Sequence, residues 1–243
     1  MNSDLNIAAA LGVAATAAGT DERARKKNFA EKLSRELAQV VADALRSRFG
    51  GITPSSDGKG HERPTRTGKG VKKLDINYST PDLGLGLGVS IKTVTAVDPK
   101  TKRFTKNFTR IDNELRAEAK DYHERQPYAV MAAIIFLPET ACRDGTGTAP
   151  SSFGSSIQAF RHRSGRLTPR DEEELFEAVF VACYRDSEPH LGDVWFFSVE
   201  TAPPRQGLPV TADRLTFSEV LSQITSIYDQ RNDPPFDWAE RGK

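Results

Sequence analysis

The 243-residue chain predicts an α/β domain with a central mixed sheet flanked by helices. Three observations carry that expectation. Residues 128–137 (YAVMAAIIFL) are an almost uninterrupted apolar run, the pattern of a central strand covered on both faces. The run follows a helical segment at 110–124 that Pro127 closes, and this in turn follows two short strand-like segments, 73–79 and 87–97. Strand, helix and buried strand in succession make a parallel crossover unit.

The other elements follow from local pattern. Residues 21–49 place Phe29, Leu33, Leu37, Val40, Val41, Leu45 and Phe49 at three-to-four spacing, with Thr20 to cap a helix and Gly50-Gly51 to end it. Residues 52–72, rich in Gly, Pro, Ser, Thr and Lys, read as a mobile loop. Helices are expected at 153–162, 170–184 and 215–230, and a strand at 193–200 (DVWFFSVE). The acids at 171–174 would suit the N-terminus of the second of these helices. Without an internal repeat or a clear linker, residues 21–231 read as one domain, with a core at 21–138 and a C-terminal extension at 139–231. A polar, Pro-containing tail (232–243) is expected to be poorly ordered. At the other end, the uncharged stretch 7–19 is preceded by Asp4 and by no Lys or Arg. Residues 1–20 are therefore expected to be a flexible arm or an Ala-rich helix rather than a signal peptide.

Composition narrows the class of function. No apolar run approaches the roughly 20 residues that span a bilayer, so no membrane partner is expected. Cys142 and Cys183 are too few for a disulfide scaffold or a four-cysteine zinc site, and a reducing cytoplasm is the expected setting. The net charge is only +1, but residues 59–110 hold twelve Lys/Arg against four Asp/Glu. A basic middle on a neutral chain suggests a local anion-binding face, with nucleic acid as the candidate ligand; a solvated basic loop is the plainer explanation.

The chemistry is expected beside that segment. Asp75 and Asn77 share one face of the first short strand, and Ser90 and Lys92 share one face of the second. A turn near 81–84 pairs residues whose numbers sum to 165 or 167, which puts Asp75 opposite Ser90 or Lys92; a bulge among Gly84, Gly86 and Gly88 would shift this by one. One outcome is an exposed cross-strand ion pair worth about 0–1 kcal/mol. The other is metal-assisted phosphodiester hydrolysis, with Asp75 on a divalent ion and Lys92 orienting or deprotonating water and offsetting phosphorane charge.

In this arrangement the chain resembles the PD-(D/E)xK nucleases, the restriction-endonuclease-like superfamily. The features that carry the resemblance are Asp75, the triplet Ser90-Ile91-Lys92, the helix at 110–124 and the strand at 128–137, preceded by the helix at 21–49. The likeness spans about residues 21–138 and departs from the pattern at one place, where Ser90 replaces the acid of the triplet. Members with Ser-x-Lys take the missing carboxylate from the following helix, which here offers Glu118, or Glu114 as the alternative, on a stripe with Arg110 and Tyr122. The resemblance implies a restriction-endonuclease-like core and catalytic residues Asp75, Ser90, Lys92, Glu118 and Glu114. It further implies Mg²⁺, or Mn²⁺ in its place, on Asp75, Glu118 and the main-chain carbonyl of Ile91. Phosphates would be met by Lys72, Lys73, Lys102, Arg103, Lys106 and Arg110.

The activity so implied is a Mg²⁺-dependent endonuclease acting on DNA in bacterial restriction or phage defence, working as a homodimer or with a defence-system partner protein. The alternative is a non-catalytic nucleic-acid-binding or assembly subunit that retains the fold. Pro81-Asp82 competes with Asp75 for the role of first acid but falls within the expected turn. A Gly84-x-Gly86-x-Gly88 phosphate loop lacks the following helix, and nothing local supports a cysteine hydrolase of Cys142 and His123, the latter expected to cap its helix end.

Overall fold

A computed structural model describes residues 3–61, 63–67, 70–82 and 84–233. The chain opens with α1 (Ala8–Ala15) and α2 (Glu22–Leu45). Its N-terminal arm is tied down. The Ser3 hydroxyl donates to the Val194 carbonyl at 2.7 Å, Asp4 accepts from the Phe217 and Ser218 N–H groups, and the Asn6 amide donates to Asp193. Ala10 and Ala14 are buried, so the Ala-rich helix is the form the arm takes. α2 buries Leu33, Leu37, Ala38, Val41, Ala42 and Leu45, close to the stripe the spacing predicts. Asp21 rather than Thr20 caps it, accepting from the Ala24 N–H at 2.7 Å. The helix ends at Leu45, and Phe49 is buried from the turn beyond it.

β1 (Arg63–Thr67) and β2 (Gly70–Leu74) then pair antiparallel, inside the segment whose composition suggested a loop. Ladder hydrogen bonds belong to the backbone and need no apolar side chains, which is why composition missed them. The main sheet runs in the order β3 (Ile76–Thr80), β4 (Gly84–Thr93), β5 (Val130–Pro138), β6 (Ala178–Tyr184), β7 (Val194–Ser198). Its central pairs β4–β5 and β5–β6 are parallel and its outer pairs antiparallel, so the sheet is mixed.

β5 is buried along its whole length. Its Ala132, Ile134 and Phe136 join the core formed with α2 and α5 (Phe217–Arg231). Met131, Ala133, Ile135 and Leu137 join the core formed with α3 (Phe108–His123) and α4 (Ser152–Phe160). Alternation about a central strand thus feeds two apolar layers. Gly88 lets the layers close over β4, since a Cβ there would come within 2.7 Å of Met131 Sδ and 2.9 Å of Leu74 Cδ1. No helix among the described residues is long and apolar enough to cross a membrane. Of the expected tail, residues 234–243 lie outside the described residues.

One element is corrected outright. Residues 170–184 are not a helix: Asp171 closes a turn by accepting from the Leu167 and Thr168 N–H groups, and 178–184 is strand β6, buried at every position. The acids resemble a helix start, but Ala-Val-Phe-Val-Ala-Cys-Tyr carries no polar face to leave in water, and parallel pairing with β5 covers both of its sides.

Where β5 and β6 begin, a buried polar network ties remote segments together. Glu177 accepts from the Met131 N–H at 2.7 Å and from Arg166 at 2.9 Å, and pairs with Arg231 at 3.0 Å. Arg166 also donates to the Pro127 and Pro169 carbonyls. His123 does not act as an exposed helix cap; it is fully buried, with Nε2 at 3.4 Å from Glu177 and Nδ1 at 3.1 Å from the Glu173 carbonyl. Burial acts to raise the Glu177 pKa, but His123, the Met131 N–H and Arg231 outweigh it and hold the carboxyl below its ordinary range. Removing one partner of such a cluster strands the others without solvent. Glu177→Gln is therefore expected to cost about 3–5 kcal/mol in urea unfolding at pH 7. Because the folded pKa is depressed, this contribution is fully present above the unfolded value of about 4.3 and disappears as pH falls through the folded one. The gap between wild type and variant should accordingly narrow only below about pH 4.3; a gap unchanged down to pH 2 would refute this account.

Candidate active site

The β3–β4 hairpin pairs Ile76 with Val89, Asn77 with Gly88 and Tyr78 with Leu87, then slips by one at a bulge so that Ser79 meets Leu85 and Thr80 meets Gly84. This is the 165 register, with the slip falling among the glycines. Gly84, at φ +74°, accepts the left-handed turn conformation that closes the hairpin. Asp82 stands exposed in that turn, at the opposite end of the hairpin from Asp75.

Asp75 interrupts what would otherwise be one long strand: β2 ends at Leu74 and β3 starts at Ile76. At the break its carboxylate accepts the Ile91 N–H at 2.7 Å, a donor on β4. The Ile91 carbonyl accepts the Ser34 hydroxyl of α2 at 3.2 Å. Both main-chain groups of Ile91 are thus met by side chains, and a carbonyl oxygen holding one hydrogen bond keeps a second lone pair.

Lys92 points toward α3. Its ammonium lies 2.6 Å from Glu118 Oε1 and 3.8 Å from Glu114 Oε2, with the Lys92 and Glu118 side chains only 15% and 19% exposed. Glu114 in turn contacts Arg110, so the stripe Arg110, Glu114, Glu118 folds over β4 as its spacing predicts. Burial acts against the charge of Lys92, but Glu118, then Asp75 and Glu114, outweigh it and raise its pKa. Lys92 is an ammonium at neutral pH, suited to donating hydrogen bonds and offsetting negative charge. Burial, and then the charges of Glu118, Asp121 and Asp75, push the Tyr122 phenol upward, so it remains a neutral hydroxyl.

Three buried polar atoms around this pair, Glu118 Oε2, Tyr122 Oη and Ser90 Oγ, have no hydrogen-bond partner among the described residues. Buried polar groups in native proteins are nearly always satisfied, so these atoms have bonding capacity that the described side chains do not fill. Among the described residues no three His, Cys, Asp or Glu side chains are grouped closely enough to hold a metal by themselves. The donors offered are two carboxylates, Asp75 and Glu118, and the Ile91 carbonyl.

The expected phosphate contacts are scattered by comparison. Lys73 and Lys102 are exposed, Lys102 at φ 57° in a turn closed by Asp98. Lys106 pairs with Asp98 at 3.5 Å and Arg110 with Glu114. Arg103 is committed to the Pro150 carbonyl and the Ser155 hydroxyl, fastening its loop to α4. The side chain of Lys72 lies outside the described residues. Sequence spacing had marked Tyr122 only as a continuation of the stripe, and nothing local could have flagged Ser34, whose partner Ile91 is 57 residues away.

Ser90 offers a test of the orphaned cluster. A hydroxyl that bonds nothing within the folded chain can be lost without structural penalty, so Ser90→Ala is expected to leave stability unchanged or raise it by about 1 kcal/mol. A loss above about 1.5 kcal/mol in urea unfolding would mean that the hydroxyl is structural. No family model, curated protein or solved structure matches the chain.

Proposed function

We propose that this protein is a Mg²⁺-dependent nuclease of the restriction-endonuclease-like superfamily, hydrolysing phosphodiester bonds in DNA, with restriction or phage defence as its biological setting. The observation that carries the proposal is the buried Lys92–Glu118 pair at 2.6 Å, with a free Glu118 oxygen beside it and Asp75 within electrostatic reach. What separates this pair from the structural, fully buried Glu177–Arg166 pair is the Glu118 oxygen left unpaired among the described residues.

The donors fit Mg²⁺. That ion keeps several waters and takes one or two carboxylates together with substrate phosphate, so Asp75, Glu118 and the Ile91 carbonyl would hold it without a third acid. When bound, it supplies a Lewis acid for the phosphoryl oxygens and lowers the pKa of a bound water. Lys92 orients or deprotonates the attacking water and offsets charge on the phosphorane. Tyr122 contributes a neutral hydroxyl donor from the next turn of α3. Glu118, at 2.6 Å from Lys92, is the helical acid of the site, and Glu114, at 3.8 Å and shared with Arg110, sets the position of Lys92.

Plasmid cleavage in Mg²⁺ against EDTA tests this. Lys92→Met, Asp75→Asn and Glu118→Gln should each lower the cleavage rate by about 10²–10³-fold, the usual loss when one preorganised electrostatic group is removed. Glu114→Gln should retain activity within about tenfold. Cleavage surviving the first three changes would remove the site. DNA retention without cleavage, unaffected by any of them, would favour a binding subunit with this fold.

A further inference from the structure

We propose that the cleft beside Asp75 is a groove for one strand of nucleic acid, its phosphates held by Lys32 and Arg35 of α2 and Lys59 of the facing loop. The cleft has a volume of about 980 Å³ and lies between the exposed face of α2 and residues 58–61, with Asp75 among its lining residues. The proposal rests on the nuclease reading for the identity of its ligand, but the groove is a separate surface from the Lys92–Glu118 pair. None of Lys73, Lys102, Arg103, Lys106 and Arg110, the described cations expected to meet phosphate, is among its described lining residues.

The lining is supplied with available cations. Arg35 has no hydrogen-bond or ion-pair partner among the described residues, and Lys32 bonds only the Thr16 hydroxyl, at 3.0 Å. They are three residues apart, so they stand about 5–6 Å from each other on one helix face and can meet neighbouring phosphates. Of the acids in the lining, Glu31 pairs with Lys27 at 3.5 Å and Asp75 accepts the Ile91 N–H at 2.7 Å. On the opposite wall Lys59 is 85% exposed and pairs with Asp57 at 2.7 Å, a surface ion pair that a phosphate can displace at small cost. His61, on the same wall, gives a ring on which a base can stack.

Size selects a single strand. Pockets for small ligands run to about 1,000 Å³, and this cleft falls within that range, enough for a few nucleotides of one chain. Helix and loop thus form two walls of a slot that admits an unpaired strand and delivers a phosphate beside Asp75.

Binding of a fluorescent 12-nucleotide single-stranded DNA, followed by anisotropy in EDTA across a salt series, tests the groove without relying on cleavage. The Lys32→Ala/Arg35→Ala double variant should bind at least tenfold more weakly. Its slope of log affinity against log salt should be shallower by about 1.4, from about 0.7 per lost single-strand contact. An Arg23→Ala/Lys26→Ala variant, which removes equal charge from the same helix outside the cleft, should bind within about twofold of wild type. The matching duplex should bind wild type more weakly than the single strand.

An unchanged slope in the first variant, an equal loss in the second, or preference for duplex would each overturn the groove. The two proposals fail separately. Loss of binding as expected, with no Mg²⁺-dependent cleavage by wild type, keeps the groove and removes the nuclease; cleavage with an unaltered slope keeps the nuclease and removes the groove.

Discussion

The site depends on a strand that stops one residue early. Had β2 and β3 run on as one, the Ile91 N–H would have bonded a neighbouring carbonyl and the edge beside Lys92 would have been covered. Instead Asp75 occupies the break and its carboxylate supplies that acceptor at 2.7 Å. The substitution keeps the backbone satisfied, as a buried ladder requires, while placing an anion where a peptide group would have been. Lys92, next along β4, then needs compensation for its own burial, and Glu118 provides it from α3. The interrupted strand thus explains the acid, and α3 explains the depth of the ammonium.

The core holds this arrangement still. β5 lies beside β4 in parallel register, Ile91 with Ile134 and Lys92 with Ile135, and is buried throughout. Its two sets of alternating side chains pack against α2 on one face and α3 on the other, so both helices that contribute to the site are referenced to a single strand. Interiors packed at crystal-like density do not let such elements drift independently. The Glu177 network acts on the same framework from the other end of β5. By joining Met131, Arg166, Arg231 and the C-terminal turn of α3, it sets where α3 ends and hence where Glu118, nearly one and a half turns earlier, meets β4.

What was legible in the sequence was local. The stripe Arg110, Glu114, Glu118, Tyr122 shows in a spacing of four, and of the two hairpin registers the turn allowed, the structure takes the 165 one with a bulge that shifts it by one. The α/β class follows from a ten-residue apolar run that has to be covered on both sides. What stayed hidden rests on partners distant in the chain. Glu177 has four other acids within six residues, Asp171 to Glu174, and as a sequence that cluster suggests a solvated helix start; only the arrival of Arg166, Arg231 and His123 makes Glu177 a buried anchor. β6 was missed for a related reason, since a short apolar run fits a buried helix or a parallel strand equally well until its neighbour is known. Of the cleft cations, Lys59 belongs to the basic stretch 59–110, whereas Lys32 and Arg35 stand on a helix where neighbouring acids hide them in the local charge.

Serine at position 90 bears most on how such a site works. An acid there would lie on the same face of β4 as Lys92 and add a charge within a layer already holding Glu118, Asp75 and Glu114. With Ser90 fully buried and its hydroxyl unpaired among the described residues, that position is polar without being ionised. The negative charge that meets Lys92 comes from α3, where Glu118 faces it directly and keeps one oxygen unpaired among the described residues. A carboxylate on α3 rather than on β4 adds no like charge to the strand face that carries Ser90 and Lys92. It also makes the Lys92–Glu118 pair conditional on the packing of α3, so that a shift of that helix would strand a buried ammonium in a way that a partner on β4 itself would not.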